Sequence, residues 1–424
     1  MRPSPTPRLL RHAALATALV LGTACDMLAP EAPPEDDILE GPIAGLTEGQ
    51  LRAFVAGDEE FSRRFAVADG LGPLFVATSC EQCHVGDGKG HPAFTLTRFG
   101  RMGPDGFDPM SEAGGPQLQH RAIPGFPVEQ IPPGATGVAR FNPPAVTGLG
   151  LLEAVDDATL MALADPDDAD GDGISGQVQL VEPTELVEAV LAVQAAGLPP
   201  GADRATGVGG RRIGRFGKKA GAVNLLHQTV VAYREDMGVT SDFLTEDLFH
   251  PAVGTGAADA VADPEVSSAV VANVVFYLRT LRPPPRRGAD DPEVRAGEAL
   301  FGQIGCAACH LPALTTGVSE VAALDRVTFH PYTDLLLHDM GPELDDGFTE
   351  GRAATSEWRT APLWGLGLAA AFQGGQAFYL HDGRAGTLAE AIEYHGGEAA
   401  PARQRFRDLS SAERVRLIRF LESL

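Results

Sequence analysis

Two pentapeptides of the form Cys-x-x-Cys-His, at residues 80–84 and 306–310, carry the clearest chemistry in this sequence. Two residues between the cysteines place the thiols about one helical turn apart, which matches the separation of the two vinyl groups of a haem. The histidine that follows would bind the iron from the proximal side. The pattern predicts two covalently bound c-type haems, attached through Cys80, Cys83, His84, Cys306, Cys309 and His310.

Zinc binding and disulfide formation are the alternatives for these cysteines, and the spacing disfavours both. Each pentapeptide supplies only three ligands, and a zinc ribbon places its two Cys-x-x-Cys motifs roughly 15–20 residues apart. The two motifs here lie in opposite halves of the chain. They use four of the five cysteines, which leaves Cys25 alone and no pair for a structural disulfide.

The first 25 residues have the composition of an export signal. Three arginines precede an apolar run at 13–21, which is too short to span a membrane as a helix. The following Leu21-Gly22-Thr23-Ala24-Cys25 resembles a bacterial lipoprotein cleavage box. We therefore expect residues 1–25 to be a lipoprotein signal peptide with Cys25 lipidated, and a plain secretory signal is the alternative. The expected location is the periplasm or cell envelope of a Gram-negative bacterium.

The charge balance bears on the kind of partner. The chain has 33 basic against 57 acidic residues and a formal net charge of −24. Such an excess disfavours nucleic acid and anionic membrane surfaces, since both repel negative charge. A basic electron-donor cytochrome would suit this surface, although solubility alone is the simpler explanation.

The segments around the two pentapeptides are predicted to be largely helical. Residues 26–45, rich in proline and acid, are expected to form a flexible tether. Apolar residues at helical spacing precede each pentapeptide. Capping chemistry predicts that helices open at Asp263-Pro264, at Asp291-Pro292 and at the capping box Ser410-x-x-Glu413.

The order of these elements repeats. Each half runs from a helix through a pentapeptide and loops to a closing helix, and residues 275–281 resemble residues 418–424, which indicates a two-copy duplication. We expect a mainly α protein with two cytochrome c-like haem domains, at 46–282 and 288–424. A loop-rich insertion, dense in glycine and proline over residues 86–210, is expected to enlarge the first domain.

Several further motifs resemble one known family. They are Leu336-Leu337-His338-Asp339-Met340-Gly341, Trp358-Arg359-Thr360-Ala361-Pro362-Leu363-Trp364-Gly365, Tyr379-Leu380-His381-Asp382-Gly383-Arg384-Ala385 and, in the first half, the segments 148–154, 171–176 and 236–240. Together they resemble the di-haem oxidoreductase branch, also called thiol oxidoreductases, of the bacterial di-haem cytochrome c peroxidase superfamily. The resemblance covers most of residues 70–424. It implies an oxidoreductase that reduces hydrogen peroxide at the N-terminal haem with electrons relayed from a donor cytochrome through the C-terminal haem.

The resemblance also implies a sixth ligand for the C-terminal haem. In the superfamily, the residue fourteen places after the histidine of the His-Asp-Gly motif binds that iron, and here this residue is His395. Met340 is the alternative, because a methionine downstream of the haem motif is the usual ligand of small cytochromes c. His381 and Asp382 are expected to orient loops near this haem, and Trp364 is either a relay between the haems or an ordinary core residue.

The distal side of the N-terminal haem departs from the family pattern. The superfamily peroxidases carry a distal histidine sixteen residues after the haem histidine, where this chain has Gly100. A peroxidase needs a group that moves a proton between the peroxide oxygens, and a carboxylate or imidazole can serve. We expect Glu129 in that role. The other catalytic candidates are Gln119 and His120, followed by Gln117, His91 and Met102.

A short acidic repeat suggests a calcium site. Asp168, Asp170 and Asp172, followed by Gly173, match the start of an EF-hand loop, in which oxygen ligands alternate before a tight turn. The twelfth position is Gln179 instead of the usual closing acid. Calcium binding and an acidic surface turn both remain open.

Other functions are compatible with two haems. If both irons had six ligands, the protein would be a non-catalytic electron-transfer cytochrome. A protein-oxidising maturation enzyme and a structural or metal-uptake partner are further alternatives.

Overall fold

The structure is a computed structural model that describes residues 39–104, 106–198, 207–254 and 261–424. The expected signal peptide, Cys25 and most of the expected tether therefore lie outside the described residues. None of the helices in the described ranges is long and apolar enough to cross a membrane.

Twelve α-helices form the main scaffold of the described residues. They are α1 Glu48–Ser62, α2 Cys80–Cys83, α3 Leu149–Glu153, α4 Asp157–Leu163, α5 Glu185–Gly197, α6 Leu225–Met237, α7 Ser268–Thr280, α8 Pro292–Gln303, α9 Ala369–Phe372, α10 Leu388–Glu393, α11 Ala400–Asp408 and α12 Ser411–Ser423.

Eleven short strands connect these helices within the same ranges. They are β1 Leu74–Phe75, β2 Leu96–Gly103, β3 Gly106–Asp108, β4 Arg121–Ala122, β5 Gly137–Phe141, β6 Gln179–Val181, β7 Arg212–Gly214, β8 Leu314–Thr315, β9 Thr328–Phe329, β10 Leu337–Asp339 and β11 Glu357–Arg359. All pair antiparallel, in a three-stranded sheet of order β3-β2-β5 and in the pairs β1-β4, β6-β7, β8-β9 and β10-β11.

The expectation of a mainly α protein is wrong. Helices make up 38% and strands 13% of the structure. The physical reason is that the segments between the helices, in which glycine and proline interrupt any helical pattern, satisfy their backbone groups by pairing with one another. The expected division into two haem domains stays a prediction.

A glycine marks the crossing of one helix pair in each half. Gly57 on α1 lies against α7, and Gly297 on α8 lies against α12. A β-carbon at either position would overlap a backbone carbonyl of the facing helix, of Asn273 in the first pair and of Arg416 in the second. The two pairs thus have the same close contact, as a duplication requires.

Two of the three predicted helix starts are confirmed and one is wrong. Asp291 caps α8 by accepting from the N–H of Glu293, and Ser410 and Glu413 form the expected capping box of α12. The start expected at Asp263-Pro264 is wrong, because α7 begins at Ser268 with Ser267 as its cap. The Asp263 carboxylate instead accepts a hydrogen bond of 2.9 Å from the Thr240 hydroxyl.

Buried apolar side chains form three main clusters. The largest gathers α1 and α3 to α7 and extends to Phe329 and Trp364 of the second half. The second lies around α8 and α12. The third joins Phe141 of β5 to Phe348 and Trp358, so it packs the sheet of the first half onto the second. This packing encloses the space between the two pentapeptides.

Candidate haem sites

One cavity of about 1050 Å³ brings both pentapeptides together. This volume is at the upper end of the range for pockets that hold one drug-sized ligand. Most of the lining is apolar, from residues such as Phe61, Leu152, Phe216, Leu278 and Leu388. Its wall includes all six haem-attachment residues predicted from the sequence, namely Cys80, Cys83, His84, Cys306, Cys309 and His310.

Each pentapeptide forms a tight helical turn. The N–H of His84 donates to the carbonyl of Cys80 over 3.1 Å, and that of His310 donates to the carbonyl of Cys306 over 3.0 Å. In the first turn, Ser79 caps α2 by accepting from the N–H of Gln82. The cysteines of both turns are free thiols, so they remain available for thioether bonds.

The two histidines that are predicted as proximal ligands, His84 and His310, are held by the same kind of contact. Nδ1 of His84 lies 2.8 Å from the carbonyl oxygen of Pro144, and Nδ1 of His310 lies 2.8 Å from that of Tyr332. A proton on Nδ1 leaves Nε2 as the metal-binding nitrogen. Burial lowers the pKa of both imidazoles to about 4, which keeps them in the neutral, ligating form.

A third imidazole has this arrangement and faces the second site. His395 follows α10, and its Nδ1 lies 2.8 Å from the carbonyl of Ala391. The ring centroids of His310 and His395 are 6.5 Å apart, with planes inclined at 43°. An imidazole nitrogen binds a metal at roughly 2 Å, so this separation accommodates one iron between the two rings. Met340, the alternative ligand, also lines the cavity and packs on the third apolar cluster.

The first site has a different environment. The aromatic neighbour of His84 is Phe61, at 6.1 Å between ring centroids, and no second imidazole in the described residues lies as close to it as His395 lies to His310. The charge of Lys218, another cavity residue, lowers the pKa of His84 in addition to burial. The two sites therefore differ in the residues near the predicted proximal histidine: a second imidazole lies near His310, and none of the described residues supplies one at that range near His84.

A family model described as "Di-haem oxidoreductase, putative peroxidase" matches residues 137–424. This chain belongs to the di-haem oxidoreductase family. The match confirms the resemblance seen in the sequence and implies two haems. The residues of the cavity fit that cofactor, because two turns with free thiols and two neutral imidazoles share one largely apolar space.

Two further comparisons add little. No curated protein sequence matches this di-haem oxidoreductase. A solved structure of hydrazine synthase from Kuenenia stuttgartiensis, pressurised with 20 bar xenon, aligns over 94% of this chain and 95% of its own, with 14% identity and a TM-score of 0.36. A similarity this low carries no argument about function.

The predicted catalytic residues of this di-haem oxidoreductase lie together, but they do not line the cavity. Glu129 accepts from the N–H of Gln119 over 2.5 Å, and its other oxygen lies 3.5 Å from Nε2 of His250. Burial raises the pKa of Glu129 to about 7. His120 is exposed. The further candidates, Gln117, His91 and Met102, are likewise absent from the cavity wall. These roles remain predictions.

His381 and Trp358 form a stack on the cavity wall. Their ring centroids are 3.7 Å apart with planes at 14°, and Nε2 of His381 lies 3.0 Å from Asp346. Nζ of Lys219 lies 3.9 Å from the centroid of the Trp358 ring. This stack fixes the loop that continues into Asp382, which pairs with Arg384. Trp364 is also buried on the cavity wall, so its two predicted roles stay open.

His338 forms a buried ionic cluster beside the second pentapeptide. Its ring nitrogens lie 2.8 Å from Asp334 and 2.7 Å from Glu398, and Nδ1 is 3.7 Å from Sγ of Cys309. Burial alone would lower the pKa of His338, but hydrogen bonds with Asp334, Cys309 and Glu398 raise it to about 12. The sequence motifs did not predict this cluster, because Cys309 lies 29 residues before His338 and Glu398 lies 60 residues after it.

The aspartates that come together in the acidic repeat differ from the predicted set by one residue, since Asp165 takes the place of Asp172. Carboxylate oxygens of Asp165, Asp168 and Asp170 come within 4.8 Å of one another. Asp172 instead accepts from the N–H of Ile174. Gln179, at the twelfth position, donates to the carbonyls of Lys219 and Glu350. Calcium binding through Asp168, Asp170 and Asp172 stays a prediction.

Three cationic cavity residues were missed by the sequence reasoning. Lys89, Lys218 and Arg359 all line the space between the pentapeptides. The only signal for Lys218 was the Lys218-Lys219 pair within an acidic chain, and it does not distinguish the two lysines.

Proposed function

We propose that this di-haem oxidoreductase binds both haems covalently, as c-type haems, and reduces hydrogen peroxide at the haem of His84. Electrons would come from a donor cytochrome and pass through the haem of His310. The observation that carries the proposal is the difference between the two sites. His310 has a second imidazole, His395, at a ring separation of 6.5 Å, and His84 has none at that range in the described residues.

A bound haem supplies an iron that exchanges single electrons and takes a sixth ligand. His310 and His395 would hold the second haem through two nitrogen ligands, which would close that site to small molecules and suit it to electron transfer. At the first site, the carbonyl of Pro144 orients His84. His84 would hold the first haem with no second imidazole of the described residues at a comparable range, so that peroxide would have access to this haem. The apolar lining would shield both bound haems from bulk water.

The reaction requires both sites. Cleavage of the O–O bond of one peroxide molecule consumes two electrons and two protons and yields two water molecules. A haem would supply one electron at a time. Cys306, Cys309, His310 and His395 would hold a second haem in the same cavity, which would supply the other electron. The cavity wall that contains both pentapeptides supports this division of roles.

The test is an electron paramagnetic resonance and optical spectrum of the purified protein, oxidised and half-reduced, before and after hydrogen peroxide. We expect one low-spin haem and one haem that is high-spin in at least one oxidation state and reacts with peroxide. The His395→Ala variant should change only the low-spin signal. Two low-spin haems in every state, unmoved by peroxide, would refute the proposal and favour a non-catalytic electron carrier.

The proposal extends to location and partner. We propose export to the periplasm or cell envelope with a lipid anchor on Cys25, and a basic donor cytochrome that docks on this acidic chain of net charge −24. Electron transfer from such a donor should slow as salt concentration rises. A Cys25→Ser variant should no longer be found in the membrane fraction, and its haem content should be unchanged.

A further inference from the structure

We propose that Lys89, Lys218 and Arg359 form a cationic cluster that binds haem propionate carboxylates between the two haem sites. The inference rests on the haem attachment proposed above. It concerns the ligand of three side chains for which neither the family nor the sequence motifs assign a role.

The cluster lies between the two predicted haem sites. Lys89 follows the first pentapeptide by five residues and reaches the carbonyl of Leu380, in the second half, over 3.2 Å. Arg359 ends β11, and its Nε donates to the carbonyl of Gly217 over 3.0 Å, directly before Lys218. All three residues line the cavity that contains both pentapeptides.

The three cations have no carboxylate partner in the described residues. Lys89 and Arg359 donate only to backbone carbonyls, and the Lys218 amine has no hydrogen bond within the described ranges. The acids that influence them are already used. Asp334 lies 2.8 Å from Nε2 of His338, and Asp382 lies 2.7 Å from Nε of Arg384.

Charges left unpaired in an apolar cavity are costly, so such groups are normally paired or neutralised. Burial lowers the pKa of Lys218 well below its usual value, and the charges of Lys89 and Arg359 lower it further. Bound anions would offset the cost of burying the Lys218 charge and the repulsion from Lys89 and Arg359. A haem fits this need, because it is apolar except for two propionate carboxylates on one edge.

Two nearby cations, Lys219 and Arg98, have the hydrogen bonds or ion pairs that the cluster lacks. Lys219, next in sequence, donates to the carbonyls of Ala354, Thr355 and Glu357. Arg98 also lines the cavity, but it is paired with Glu350 at 2.7 Å and Glu235 at 3.1 Å. The cluster of Lys89, Lys218 and Arg359 therefore differs from both, and carboxylates are the ligands that match its charge.

The test compares Lys218→Met with Lys218→Arg. Both proteins are prepared with haem, and the haem content per chain and the midpoint potential of each haem are measured at fixed pH. A cation beside a haem stabilises its reduced form, so we expect Lys218→Met to lower the reduction equilibrium constant of one haem about tenfold, or ~59 mV for a one-electron couple. Lys218→Arg should stay close to wild type, because arginine also binds carboxylates.

The matched control is Arg140→Met, which removes one exposed positive charge on β5 and should leave both potentials unchanged. If Lys218→Met fails to fold, Lys89→Met provides the same test. Wild-type potentials in either Met variant would overturn the inference. So would a changed ligand-field spectrum in Lys218→Arg, which would make Lys218 an iron ligand. Peroxide is not part of the measurement, so a lack of peroxidase activity cannot be mistaken for failure of the cluster.

Discussion

Tyr277 and Phe420 occupy equivalent positions in the two halves of the molecule. The β-carbon of Tyr277 faces Gly57 across the crossing of α1 and α7, and that of Phe420 faces Gly297 across the crossing of α8 and α12. Each ring also contacts a phenylalanine four residues beyond the glycine, with centroids 5.4 Å apart for Phe61 and 5.3 Å apart for Phe301. Those two phenylalanines in turn contact His84 and His310, so each helix crossing packs against one of the predicted haem ligands.

Replacing Gly297 with alanine should destabilise the protein. The added methyl group would overlap the carbonyl of Arg416, and α8 and α12 would have to separate, at a cost of about 1–3 kcal/mol. Thermal unfolding measures the effect. Gly302→Ala on the same helix is the control, because a β-carbon there meets nothing within 4 Å and alanine favours a helix. Equal melting temperatures for the two variants would contradict the close crossing.

Local chemistry explains which parts of the fold could be predicted. Asp291-Pro292 and the capping box at Ser410 act within one helical turn, so sequence alone places those helix starts. Asp263-Pro264 carries the same signal, but the Thr240 hydroxyl, which is distant in sequence, competes for the carboxylate. Short strands such as β10 and β11 depend on partners far along the chain, and the sequence did not indicate them.

The same limit applies to the site. The six predicted attachment residues follow from spacing within each pentapeptide, and the structure brings both sets to one cavity. Glu129 was expected at the cavity because it is an acid in the loop-rich segment, yet it lies beside His250. Lys218 and Lys219 are neighbours in sequence, and only their three-dimensional contacts show that the amine of Lys219 is satisfied by carbonyls.

Replacement of His395 should change the haem of His310 only. In His395→Ala we expect that haem to lose its low-spin signal, because one of two strong nitrogen ligands is removed. His395→Met should restore six ligands and raise the midpoint potential, as methionine–histidine ligation does in cytochromes c. His330→Ala is the control, since this exposed histidine contacts the carbonyl of Pro312 outside the cavity. A low-spin signal that persists in His395→Ala would assign the sixth position to Met340.

Removal of the thiols should separate the two haems. Cys306→Ala combined with Cys309→Ala should leave one covalent haem per chain, attached at Cys80 and Cys83, because each pentapeptide supplies both thioether bonds of its own haem. Mass spectrometry of the denatured protein measures covalent haem. The complementary pair, Cys80→Ala with Cys83→Ala, is the matched variant and should also retain one haem. Two haems in either variant would contradict attachment at these motifs.

Glu129 should make stability depend on pH. Burial raises its pKa to about 7, against 4.5 for an ordinary glutamate, so between these values the folded protein binds a proton that the unfolded chain has released. The stabilising contribution of this group is therefore fully present below pH ~4.5 and is lost as pH rises to about 7, a decline of at most about 3–4 kcal/mol. Glu129→Gln removes the ionisable group, so this variant should lose that decline and be more stable than wild type at pH 8. Denaturant unfolding at several pH values measures it, with exposed Glu246→Gln as control. A decline of the same size in Glu129→Gln would assign the pH dependence to another buried acid, of which Asp87, with a pKa raised to about 7, is the first to replace.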